Sequence, residues 1–79
     1  MRYGMLRSTD ERTREDFKKA VEYARESLDI PVQITEERED SIIFSANLLD
    51  QEYLLLMSML QDVCAERYQG HMEDYNGDL

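Results

Sequence analysis

Residues 32–46, VQITEEREDSIIFSA, hold two short apolar runs separated by a charged connection. Alternation of apolar and polar residues is typical of strands with one buried face, so the stretch predicts a β-hairpin. The connection, residues 35–41, contains neither glycine nor proline, so the sequence does not define its turn type or register. The side chains expected to face inward are Val32, Ile34, Ile42, Phe44 and Ala46.

The segment before this hairpin predicts a short strand followed by a helix. Residues 2–7 are compatible with a strand, and Ser8-Thr9-Asp10-Glu11 matches a capping box with Ser8 as the N-cap. Pro31 ends the helix before it. The apolar residues at helical spacing form one stripe: Phe17, Ala20, Val21, Ala24 and Leu28.

A second helix is predicted from Asp50, as its N-cap, to about Tyr68. Its core stripe comprises Leu49, Tyr53, Leu56, Met57, Leu60, Val63 and Cys64. Leu54 and Leu55 fall outside this stripe and Met59 lies at its margin. A helix that is apolar beyond one stripe is either deeply buried or part of an interface. Leu55 and Met59 are therefore candidates for an apolar interface, with plain core packing as the alternative.

The predicted element order is β-α-β-β-α, an α+β fold with two helices packed on one face of a three-stranded sheet. A right-handed crossover makes the first two strands parallel. Insertion of the third strand between them gives a ferredoxin-like unit lacking the last strand, with the first strand as an open edge. Residues 1–70 are expected to form a single domain, and residues 71–79 a polar, flexible C-terminal tail.

The charge is unevenly distributed along the chain, whose formal net charge is −9. Residues 1–30 contain seven acidic and seven basic residues, whereas residues 31–79 contain eleven acids and only Arg38 and Arg67 as bases. This imbalance predicts an anionic side of the molecule and argues against direct binding to nucleic acid or anionic lipid. It favours a protein partner with a basic surface, unless the charge serves only solubility.

The sequence lacks the residues that most catalytic and metal sites require. Cys64 and His71 are the only soft metal ligands, and the three glycines form no phosphate-binding loop. Nothing marks a nucleophile with its base or a carboxyl group with a raised pKa. We therefore expect no enzyme activity, no catalytic residue, no metal and no cofactor.

The compartment expected from the sequence is the cytoplasm. No apolar run is long enough for a signal peptide or a membrane span, so membrane association is not expected. The single cysteine cannot form an internal disulfide, which fits a reducing environment.

Acidic residues form two clusters, which are the predicted partner-binding residues: Glu36, Glu37, Glu39 and Asp40 in the hairpin connection, and Asp62 and Glu66 on the second helix. Same-face strand residues lie about 6.6 Å apart and i, i+4 helix residues about 6 Å, spacings close to those of successive nucleic-acid phosphates.

These spacings predict an inhibitor or decoy that acts as a nucleic-acid mimic and occupies a basic groove of a partner protein. In size and charge the chain is similar to small acidic proteins of phages and mobile elements that block host defence or polymerases, although no motif identifies a family. The alternative is a homodimeric regulatory or structural subunit that associates through a sheet edge or the second helix.

Overall fold

A computed structural model describes residues 1–65 and 70–75. The predicted strands and helices all form, and one further strand follows them. The elements are β1 (Arg2–Arg7), α1 (Glu11–Ser27), β2 (Val32–Glu37), β3 (Ser41–Ala46), α2 (Asp50–Ala65) and β4 (His71–Asp74).

The strands form one four-stranded sheet in the order β2-β3-β1-β4, and every neighbouring pair is antiparallel. β3 lies between β1 and β2, which the sequence left open, and β1 and β2 are therefore parallel to each other. The expectation of three strands is wrong, because residues 71–74 of the predicted tail pair with residues 4–7 of β1. The sheet is therefore the complete ferredoxin-like arrangement, and the edge of β1 predicted to be open is covered by β4.

Both helices pack on one face of this sheet: α1 contacts β2 and α2, and α2 also contacts β4. The side chains predicted to face inward from the hairpin lie in this core, although Ile34 is only half-buried. From the helices, the core takes Phe17, Val21, Ala24, Tyr53, Leu56 and Leu60. Leu49, predicted in the stripe of α2, is 74% exposed.

The helix N-termini differ from the predicted ones. Asp10, not Ser8, caps α1, because its carboxylate accepts a hydrogen bond from the backbone N–H of Thr13 at 2.9 Å. Ser8 is buried and its hydroxyl oxygen accepts from the Asp10 N–H instead. Leu49 precedes α2, and its N–H donates to Glu52 at 3.1 Å, which reproduces one half of a capping box.

A bulge at Thr35 changes the side of the sheet on which the acidic residues of β2 lie. Ile34 pairs with Phe44, but Glu36 pairs with Ile43, so Thr35 has no partner in the register. Strict alternation from Ile34 would direct Glu36 toward the helices and the core. The extra residue directs Glu36 to the opposite face, where burial of a carboxylate is avoided.

The sheet face away from the helices is also covered, by side chains from both edges. Met5 and Ile43 pair across β1 and β3 on this face and are only 6% and 2% exposed. Arg38, after β2, donates a hydrogen bond to the Tyr75 hydroxyl at 3.1 Å and lies over its ring. Tyr75 follows β4 and its N–H donates to Tyr3. The contact between Arg38 and Tyr75 therefore spans the sheet.

Candidate functional site

Residues 36–40, here called the hairpin tip, bring four of the predicted acidic residues together. The tip connects β2 to β3 by a three-residue loop in which the Arg38 N–H donates to the Ser41 carbonyl at 2.7 Å. All five residues of the tip are exposed. Glu36, Glu37, Glu39 and Asp40 thus form one surface cluster, as the sequence predicted.

Two of these four carboxylates are neutralised within the molecule. Arg38 Nε donates to Glu36 at 2.6 Å, and this hydrogen bond lowers the pKa of Glu36. Lys18 Nζ lies 3.1 Å from Glu37, and the hydrogen bond to Glu37 raises the pKa of Lys18. Exposed pairs of this kind contribute little to stability. Their effect here is to reduce the negative charge that the tip offers to a partner.

Glu39 and Asp40 carry the remaining charge of the tip. Within residues 1–65 and 70–75, neither carboxylate has a cationic side chain at ion-pair distance. Asp40 accepts a hydrogen bond from the Ser41 hydroxyl at 3.2 Å, which orients its carboxylate without neutralising it. These two adjacent side chains are therefore the most available anions of the cluster.

Arg14 of α1 anchors the backbone of the tip from the side of the helices. Its guanidinium donates to three backbone carbonyls: that of Arg38 at 2.6 Å, that of Ser8 at 2.9 Å and that of Glu39 at 3.5 Å. The Ser8 N–H in turn donates to the Asp40 carbonyl at 3.0 Å. Sequence analysis missed Arg14, because nothing local distinguishes it from the other charged residues of α1.

Replacing Arg14 by lysine is expected to loosen the tip while keeping its charge. A lysine lacks the planar fork that satisfies several carbonyls at once, so the free energy of unfolding should fall by about 1–2 kcal/mol. Amide hydrogen exchange at residues 39–41 should accelerate more than the average over the chain. The control is Arg12→Lys, since Arg12 is exposed and has no hydrogen bond within the described residues. Equal behaviour of the two variants would contradict the anchoring role.

Asp62, the described member of the second predicted acidic cluster, does not join the tip. Asp62 is exposed on α2, which packs against β4 at the other edge of the sheet from β2. Glu66 lies outside the described residues, as does the side chain of Cys64. The tip and Asp62 therefore belong to different parts of the surface.

The two halves of the sequence interleave in the fold, so the acidic residues do not form one separate side. Arg2 pairs with Asp50, Arg7 with Glu73 and Lys18 with Glu37, each pair joining a base of residues 1–30 to an acid of residues 31–79. Among the described residues, bases from the first part of the chain thus pair with several acids of the second part, and the tip is one of the acidic clusters that remain.

An apolar groove beside α2 is a second candidate site. Its lining residues come from three parts of the chain and enclose about 280 Å³: Ile30, Leu48, Glu52, Leu55, Leu56 and Met59. Leu55, beside the groove, is 73% exposed, whereas Met59 is half-buried. Helical periodicity identified Leu55 and Met59. Ile30 and Leu48 lie in connections, where no such period exists to reveal them.

Tyr53 joins a polar cluster to the core. Its hydroxyl lies 3.0 Å from both the Tyr3 carbonyl and an Asp74 carboxylate oxygen, and the Arg2 guanidinium lies 4.7 Å from its ring centre. Burial raises the pKa of the Tyr53 phenol above its ordinary value. A raised pKa keeps the phenol protonated, so its hydroxyl can donate a hydrogen bond within this cluster.

Comparison with protein-family models, curated proteins and solved structures gives no match. In the described part of the chain, no three His, Cys, Asp or Glu residues are grouped so as to hold a metal ion. No helix in that part is both long and apolar enough to cross a bilayer. The hairpin tip and the apolar groove are therefore the two candidate sites of the described residues.

Proposed function

We propose that this chain is a small non-enzymatic protein-binding inhibitor, or decoy, whose hairpin tip occupies a basic groove of a partner protein. The groove is of the kind that binds nucleic-acid phosphates, and the chain competes with the nucleic acid for it. Anti-defence proteins of phages and mobile elements are the class to which such a role belongs. The proposal includes neither direct nucleic-acid binding nor a cofactor.

The observation that carries this proposal is the exposed, unneutralised charge of Glu39 and Asp40. Both are exposed, adjacent and without a cation among the described residues, and Arg14 fixes the loop that bears them. A loop that is already ordered loses less conformational entropy on binding. Two anions held on such a loop can steer toward a cationic groove and orient in it.

The test is a comparison of two variants of equal net charge as baits in a lysate of the cells that carry the gene. The double variant Glu39→Gln with Asp40→Asn removes two charges from the tip. The control, Glu22→Gln with Glu26→Gln, removes two exposed charges from α1. We expect basic proteins to be captured by the wild type and the control and lost with the tip variant. Capture of the same proteins by both variants would contradict the role of the tip.

The affinity of the captured protein should then show an electrostatic signature. For the purified pair, the tip variant should raise Kd by about tenfold at low salt, equivalent to about 1.4 kcal/mol. Raising salt from about 0.1 M to about 1 M shortens the Debye length from about 10 to about 3 Å and should weaken wild-type binding. Duplex DNA or RNA should displace the chain from its partner. Failure of both nucleic acids to compete would contradict the decoy mechanism.

A homodimeric regulatory or structural subunit is the second candidate function. The observation in its favour is the apolar surface of α2, where Leu54 and Leu55 are 65% and 73% exposed. Association through the edge of β1 is no longer available, because β4 occupies that edge. The outer strands of the sheet are now β2 and β4, and the exposed leucines favour a dimer through the second helix.

A further inference from the structure

We infer that the apolar groove receives the Leu55 side chain of a second copy of the chain, so that two copies pair through antiparallel α2 helices. This inference develops the second candidate function and is independent of the hairpin tip. It names the contact that joins the copies and the orientation in which they meet. Its test measures association of the chain with itself, whereas the decoy test measures capture of another protein.

The groove and the side chain proposed to fill it lie on one surface. Leu55 projects from the rim with 73% of its area exposed, and Leu48, Leu56 and Met59 line the space beside it. In a two-fold pairing, each copy presents the same surface to the other. A surface that combines a projecting apolar side chain with an apolar depression can therefore pair with itself, because each Leu55 enters the groove of the opposite copy.

The groove is large enough for this occupant. An apolar cavity of about 150 Å³ is sufficient to hold a benzene molecule. The groove encloses about 280 Å³, which leaves room for a leucine side chain together with part of a neighbouring one. Filling it would shield the half-buried Met59, Ile30 and Leu48 from water.

The charges of α2 select the antiparallel orientation. Residues 53–61 contain no charged side chain, and the run is bounded by Glu52 and Asp62. A parallel pairing in register would bring each of these acids beside its own copy. An antiparallel pairing centred between residues 56 and 57 instead places the exposed Asp62 opposite the exposed Gln51 of the other copy, and separates the two Glu52 residues along the helices. An amide can donate hydrogen bonds to a carboxylate, so no acid faces an acid across this contact.

The same orientation separates the most anionic parts of the two copies. The C-terminal end of α2 leads to β4, which starts opposite Arg7, and Arg7 pairs with Ser41 next to the hairpin tip. The tip therefore lies at the end of the sheet where α2 terminates. Antiparallel helices place the two tips at opposite ends of the dimer, which limits repulsion between copies that each carry a net charge of −9.

The proposed contact is small, because it consists of Leu55 and the apolar side chains that line the groove. Small contacts between proteins are typical of weak or transient association. We therefore expect a concentration-dependent equilibrium with a Kd of about 1–100 μM.

The experiment is sedimentation equilibrium of the full chain and of two neutral variants, Leu55→Gln and Leu54→Gln. Neither variant changes the net charge, and both replace a mostly exposed leucine of α2, so folding should be retained, as circular dichroism will show. Leu54 is the matched control because it does not line the groove. Leu55→Gln should raise the dimer Kd by about tenfold or more and Leu54→Gln by less than about threefold.

Four outcomes decide the inference. Dilution of ¹⁵N-labelled wild type should shift the amide signals of Ile30, Leu48 and residues 52–59, and added salt should not weaken the dimer. A strict monomer up to about 1 mM, a concentration that allows even a weak pair to form, would overturn the inference. So would equal responses of the Leu54 and Leu55 variants. A chain that stays monomeric but binds an apolar helix of another protein in the groove would overturn self-pairing as well.

Discussion

Replacing Tyr53 by alanine is expected to lower the free energy of unfolding by about 3–5 kcal/mol, a loss comparable to the whole stability of a small domain. The Tyr53 side chain is completely buried between α2 and the sheet. Its removal leaves a cavity where the ring packs and strips the Asp74 carboxylate of its hydroxyl partner. Urea denaturation followed by circular dichroism will measure the loss.

The effect should be large because the Tyr53 side chain packs closely against the backbone of β1 at Gly4. A Cβ at Gly4 would overlap the Phe44 ring and lie 2.8 Å from the Tyr53 hydroxyl oxygen. The absence of a side chain at Gly4 therefore lets Phe44 and Tyr53 contact the strand directly.

Tyr53→Phe is the control that separates the ring from the hydroxyl. It keeps the packing against Gly4 and Phe44 and loses only the hydrogen bonding to Tyr3 and Asp74. The expected cost is about 1–1.5 kcal/mol, the typical value of one hydrogen bond. A cost for Tyr53→Phe equal to that of Tyr53→Ala would show that the hydroxyl, and not the packing of the ring, carries the effect.

Replacing Met72 by aspartate is expected to destabilise the protein by about 3–5 kcal/mol and to detach β4 from the sheet. Met72 is 8% exposed and pairs with Leu6, and its N–H donates to Gln61 of α2. A carboxylate there would be buried in the core without a cationic partner. Detachment of β4 from the sheet should therefore cost less free energy than burial of the charge. Detachment uncovers the edge of β1, whose unpaired backbone groups favour aggregation.

The matched control is His71→Asp, which introduces the same charge one residue earlier. The side chain of His71 is 70% exposed, so this change should cost less than about 0.5 kcal/mol. Thermal unfolding and light scattering of the two variants will show whether the effect follows burial. Similar, small effects of both changes would mean that residues 71–74 behave as the flexible tail predicted from the sequence.

The elements with strong local periodicity were predictable. β1, α1, the hairpin strands and α2 each carry several apolar residues at the spacing of their structure, and the crossover rule made β1 and β2 parallel. The insertion of β3 between them did not follow from the sequence. β4 was missed because a four-residue strand with one inward apolar side chain, Met72, has no period to detect. It becomes a strand only because β1 offers an unpaired edge.

The candidate sites were likewise predictable only in part. The acidic residues of the tip and the unusual leucines of α2 can be read directly from the chain, since charge and apolar spacing are local properties. Which acids remain available depends on Lys18 and Arg38, on the bulge at Thr35 and on Arg14 beneath the loop. The sequence by itself thus determined the first five elements, the α+β class and the composition of both surfaces. Only the tertiary structure decided which charges are cancelled and which apolar side chains form a groove, because both depend on contacts between residues distant in the chain.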